Sequence, residues 1–90
     1  MLVEVWQIVA KNWVFKRGSW QAQCQIMMKR KRISYRTIAQ KMKYSKTALW
    51  EWITQPNKPT TLQNMLAICT ILDLDPREFI IRDEVQLKLL

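Results

Sequence analysis

Residues 34–54 read Ser34-Tyr35-Arg36-Thr37-Ile38-Ala39-Gln40-Lys41-Met42-Lys43-Tyr44-Ser45-Lys46-Thr47-Ala48-Leu49-Trp50-Glu51-Trp52-Ile53-Thr54, and this stretch decides the fold. Ser34 and Ser45 each stand where a hydroxyl can accept from the open backbone N–H groups of a helix start. They predict two short helices, Tyr35–Met42 and Lys46 to about Thr54. Ile38, Ala39 and Met42 make one apolar stripe on the first helix, and Leu49, Trp52 and Ile53 face inward on the second. Only Lys43-Tyr44-Ser45 join them, and a link that short forces two helices to cross steeply. Ala39 is small where the helices must approach, while Ile38, Met42 and Leu49 pin one against the other. Helical spacing then leaves Lys46, Thr47, Trp50 and Glu51 outward.

Further helices flank this pair. Upstream, Gly18 punctuates the end of an N-terminal segment, and Ser19 is placed to cap a helix from Trp20 to about Lys31. Trp20, Cys24, Met27 and Met28 follow its apolar spacing, and the run Lys29-Arg30-Lys31-Arg32 puts cations where a helix C-terminus favours them. Downstream, Gln55-Pro56-Asn57-Lys58-Pro59 is a stop and a turn, since both prolines oppose helix. Thr60 or Thr61 opens a fourth helix carrying Leu62, Met65, Leu66, Cys69 and Leu72 on one face. Asp75-Pro76 starts a last turn, with Asp as cap, Pro at the first helical position and Phe79 packing down.

The two ends are open to more than one form. The segment from Met1 to Phe15 holds Glu4, Gln7 and Lys11 at helical spacing, whereas Val3, Val5, Ile8 and Val9 favour a strand. It is too short and too interrupted to span a bilayer, and it lacks the basic start and small-residue cleavage site of a signal peptide. Near the other end, Val85, Leu87 and Leu89 alternate with Gln86 and Lys88, a strand pattern that could pair with the N-terminal segment or with a second subunit. The expected fold is therefore all-α. It has four to five helices in a domain at 19–80, an apolar extension at 1–18 for packing or dimer contact, and a tail at 81–90. The flanks 1–17 and 80–90 are left to add a helix or short strands.

Composition narrows the chemistry. With 90 residues the chain makes one domain, and with no His it has neither a Ser-His-Asp triad nor a His-ligated zinc site. Cys24 and Cys69 are too few for a disulfide framework and form no C-x-x-C, so they read as reduced core thiols. With no phosphate-cradling glycine loop and no paired carboxylates in the basic half, no enzyme, cofactor or metal is expected. The net charge is +8, and it is uneven: twelve basic residues and one acid, Glu51, lie between Lys11 and Lys58, whereas three basic and five acidic residues lie between Pro59 and Leu90. One half of the chain can thus face a polyanion while the other faces elsewhere.

At this point the sequence resembles a family. Ile33 to Met42 is similar to the first half of the helix-turn-helix motif of lambda-repressor, Cro and XRE-type regulators of phage and mobile elements. Tyr44-Ser45-Lys46-Thr47-Ala48-Leu49 resembles the start of their recognition helix. Pro59 to Leu72, followed by Asp75-Pro76-Arg77-Glu78-Phe79, resembles their last two helices. The resemblance covers residues 20 to 80 and implies a DNA-binding domain whose third helix enters the major groove. There, a Lys46 ammonium would donate to guanine O6 and N7, Thr47 would meet a base edge or a thymine methyl, and Glu51 would accept from cytosine N4. Trp50 completes the base-facing set. Phosphate contacts at the start of the second helix and the cap of the third carry over to Tyr35, Arg36 and Ser45, with Arg32, Lys43 and Lys58 as surrounding charges.

Three features depart from the family pattern, one of them Ile53-Thr54-Gln55 in place of the Glu-Arg-Gly-like ending of the usual recognition helix. Lys43 stands where the turn usually has Gly, and a non-glycine there is penalised if φ is positive. Trp50 puts an indole on the exposed side of the reading helix. The expected function is a small cytoplasmic, sequence-specific transcription regulator of duplex DNA, a homodimeric repressor that occludes a promoter. The alternative is an antirepressor-like domain whose Trp50 face captures another transcription regulator. Neither reading involves a membrane.

Overall fold

The computed structural model describes residues 6–10 and 13–82, in the order β1 (Trp6–Ala10), β2 (Trp13–Lys16), α1 (Arg17–Lys31), α2 (Tyr35–Met42), α3 (Lys46–Thr54), α4 (Leu62–Leu72), a 3₁₀ turn (Pro76–Glu78) and β3 (Ile80–Arg82). The alternating pattern at Val85, Leu87 and Leu89 lies outside the described residues.

The all-α expectation needs correcting at the N-terminal flank. β1 and β2 pair antiparallel, and β3 pairs antiparallel with β2, giving a small sheet in the order β1-β2-β3. Of the two forms open to this segment, the strand prevails because its β-branched residues find ladder partners. Val14 lies opposite both Ile8 and Ile81, and Phe15 opposite both Gln7 and Ile80. Lys16 N–H donates to Phe79 O at 2.7 Å, so the pairing runs up to the first residue of α1.

Alternation gives the sheet two unlike faces. Phe15 is buried, Val9 and Ile80 pack against the same core, and Gln7 Nε2 donates to Thr60 O at 2.7 Å. The opposite face carries Trp6, Ile8, Val14, Lys16 and Ile81, with the Lys16 ammonium 5.9 Å from the Trp6 ring centroid. Ile8 is 76% exposed there, far more than an apolar strand residue facing a core.

The first helix also begins earlier than expected. It starts at Arg17, Ser19 is not its cap, and the flanking Lys16 makes no side-chain cap bond. Gly18 lies inside the first turn and needs no left-handed backbone; that conformation is taken instead by Arg32, Lys43 and Asp73. Each of these three ends a helix and returns its own N–H, and that of the next residue, to the terminal carbonyls of α1, α2 and α4.

The core holds Phe15, Trp20, Cys24, Met28, Ile38, Ala39, Leu49, Ile53, Met65, Ile68, Cys69, Leu72 and Phe79. Trp20 meets Phe15 edge-on at 5.9 Å, so the sheet is bound to the helices through aromatic contact. Asp75 caps the 3₁₀ turn as the sequence predicts, and Thr61 caps α4.

Candidate nucleic-acid interface

The central pair forms as its caps dictate. Ser34 Oγ accepts from Thr37 N–H at 3.2 Å and Ser45 Oγ accepts from Ala48 N–H at 3.1 Å. Ala39 is buried at the crossing, and its carbonyl accepts from Tyr44 N–H at 3.0 Å, which closes the turn. Lys43 has φ 61°, so the turn keeps its left-handed residue without glycine. Lys43→Gly is therefore expected to raise the unfolding free energy by about 0.5–1 kcal/mol, read by urea titration.

Leu49 and Ile53 are fully buried, and this fixes which face of α3 points outward. Lys46 and Thr47 are exposed in the first turn, Trp50 is 45% exposed one turn on, and Glu51 is half-buried beside it. Of the expected phosphate contacts, Arg32, Arg36, Lys43, Ser45 and Lys58 are exposed and Tyr35 is half-buried. Burial, with a smaller contribution from Cys24, raises the Tyr35 pKa above its ordinary value. Trp52, expected inward, is half-buried and meets the half-exposed Tyr44 edge-on at 4.9 Å.

The basic run at the end of α1 divides in use. Lys31 pairs with Asp73 at 2.7 Å and ties α1 to the end of α4, and that bond holds the Asp73 carboxyl below its ordinary pKa. The other ion pair among the described residues joins Arg77 to Asp75. Neither uses a residue of the outward set, so the cations around α3 are not neutralised by those carboxylates.

Three residues absent from the expected site hold α3 in place. Gln55 precedes Pro56 and is extended (φ −101°, ψ 125°), so α3 cannot close with the left-handed cap that ends α1, α2 and α4. Its open carbonyls accept from α1 instead. Arg17 Nη2 donates to Trp52 O at 3.2 Å and Gln55 O at 2.7 Å, and Nη1 to Pro56 O at 2.8 Å. Nη2 also reaches Lys58 O at 2.5 Å. Gln21 Nε2 donates to Trp52 O and Gln55 O, each at 3.0 Å, and Gln25 Nε2 to Ile53 O at 3.0 Å. The guanidinium is 1% exposed, and burial lowers its pKa; its charge is stabilised by the negative end of α3. The readable signal was polar residues at i, i+4 and i+8 beside the apolar stripe of α1, together with a proline directly after the α3 stop.

Two capped helices crossing on a three-residue turn, with the second offering its first turn to solvent, define a DNA-binding helix-turn-helix domain. Residues 25–84 match the Cro/C1-type HTH DNA-binding domain, and the chain belongs to that family. No curated protein and no solved structure matches the chain. The family is one of non-enzymatic DNA-binding regulators. Among the described residues, no helix is long and apolar enough to cross a membrane, and no cluster of His, Cys, Asp or Glu could hold a metal ion.

Proposed function

We propose that this protein is a cytoplasmic transcriptional repressor that binds a specific duplex sequence as a homodimer and occludes a promoter. The observation that carries this reading is the exposed first turn of α3, with Lys46 and Thr47 outward over a buried Leu49. Lys46, Thr47, Trp50 and Glu51 read base edges, while Arg32, Tyr35, Arg36, Lys43, Ser45 and Lys58 hold phosphates and set the register. Selection from random duplexes at physiological salt is expected to enrich a short inverted repeat. Binding without enrichment would overturn sequence reading and move the function to the Trp50 face as a surface for another regulator.

The contact classes separate by mutation. Lys46→Ala is expected to cost about 1–3 kcal/mol and relax preference at one base pair. Arg36→Ala should weaken all duplexes alike and lower the salt slope by about one. Identical behaviour of the two variants would misplace the reading helix. Lys43→Gly should also lose a phosphate contact, so that stability rises while affinity falls.

The dimer reading is supported by β1, an edge strand among the described residues, with Trp6 and Ile8 exposed and no charged side chain between Trp6 and Ala10. Native edges are usually protected by charge, and an uncharged strand can pair with its own copy about a two-fold axis in a chain otherwise strongly basic. Ile8→Glu is expected to convert the dimer to a monomer in sedimentation equilibrium. A wild-type chain that is monomeric at every concentration would remove this part of the proposal.

A further inference from the structure

α3 is the helix whose angle matters most for base reading, and among the α-helices of the described residues it is the one that does not end on a left-handed residue: its cap, Gln55, donates only to Glu51 O. The carbonyls of Trp52, Ile53 and Gln55 accept from Arg17, Gln21 and Gln25, on successive turns of α1. Arg17 also grips the following loop through Pro56 O and Lys58 O. A planar fork touching four carbonyls fixes direction as well as distance, which a single point contact does not. Arg17 and Gln21 precede the family-matched segment, residues 25–84, and Gln25 is its first residue.

We infer that Arg17, with Gln21 and Gln25, is a positioning device that sets the angle of α3 and thereby determines how well the protein discriminates among duplex sequences. The inference rests on the DNA-reading proposal. Arg17 is buried and meets no phosphate, so its removal acts on discrimination and not on general affinity. Simple loss of folded protein would instead scale binding to every duplex equally.

The test uses the full chain and two duplexes of equal length, one selected and one scrambled, titrated by fluorescence anisotropy across salt. Folded fraction is read in parallel by circular dichroism. Arg17→Met is expected to lower the ratio of selected to scrambled affinity at least about tenfold, the worth of one misplaced base contact. Scrambled binding per folded molecule and the salt slope should be unchanged. If Arg17→Met does not fold, the double variant Gln21→Met with Gln25→Met removes the remaining α1 donors and carries the same expectation. An unchanged ratio, or an equal loss on both duplexes, overturns the inference. A wild-type chain that does not discriminate would overturn the DNA-reading proposal first, and this one with it.

Discussion

Arg17→Met is expected to lower the unfolding free energy by about 1–3 kcal/mol, the cost of removing a charged donor from carbonyls that have folded around it. The size follows from the acceptors left behind. Trp52 O and Gln55 O retain Gln21, but Pro56 O and Lys58 O each lose the side-chain donor that Arg17 supplies. Pro56 and Lys58 are exposed and their bonds part-buried, so each lost bond falls toward the lower end of the range, about 1–3 kcal/mol, that a fully buried, unpartnered carbonyl costs. Thioether packing replaces the stem but not the fork, and for a domain of this size each kcal/mol moves the melting temperature by about 4–8 °C. Arg17→Lys should recover part of the loss, because an ammonium keeps the charge at the end of α3 without reaching every carbonyl. Thermal and urea unfolding check both variants. A loss below 1 kcal/mol for Arg17→Met would mean that water or backbone adjustment satisfies those carbonyls.

Alkaline pH is expected to destabilise the protein through its two buried thiols. Burial pushes Cys69 up to about 11 from an ordinary value of 9.0, and raises Cys24 further. Below pH 9 both thiols are protonated in either state and contribute no pH dependence. Above it, the unfolded chain releases protons that the folded chain retains, so stability falls as pH rises towards 11. Cys69 alone accounts for a loss of about 2 kcal/mol across that window, and Cys24 adds to it. The check is urea unfolding at pH 8 and pH 11 for the wild type and for Cys69→Ala, whose pH dependence should be shallower by that amount. Equal slopes would show that the Cys69 thiolate is accommodated in the fold. The same burial predicts that a thiol reagent labels neither cysteine at pH 8 faster than the chain unfolds.

The sequence made the central helices legible residue by residue. Tyr35–Met42 and Lys46–Thr54 occur with the expected bounds, because Ser34 and Ser45 act on N–H groups three residues away and the apolar spacing repeats within one turn. The outward placement of Lys46, Thr47 and Trp50 followed from the same periodicity once Leu49 and Ile53 were taken as buried. Helix α1 was legible in the middle and not at its start. Ser19 and Gly18 suggested a boundary by local rules, but the boundary is set by β2, which ends at Lys16 against Phe79 O. Burial of Arg17 also runs against the composition rule that places arginines at the surface.

By itself, then, the sequence determined the capped helix pair, its tight turn, the turn at Asp75-Pro76 and the separation of basic from acidic halves. Those features rest on interactions between residues a few positions apart, or on charge, which sequence displays directly. Only the tertiary structure decided that Trp6–Ala10 and Trp13–Lys16 are strands and that α1 begins at Arg17. It alone also showed that the end of α3 is held by donors from α1. A strand needs a ladder partner, here brought from the far side of four helices. An open carbonyl takes whichever donor the fold carries to it, and neither relation is written in local spacing.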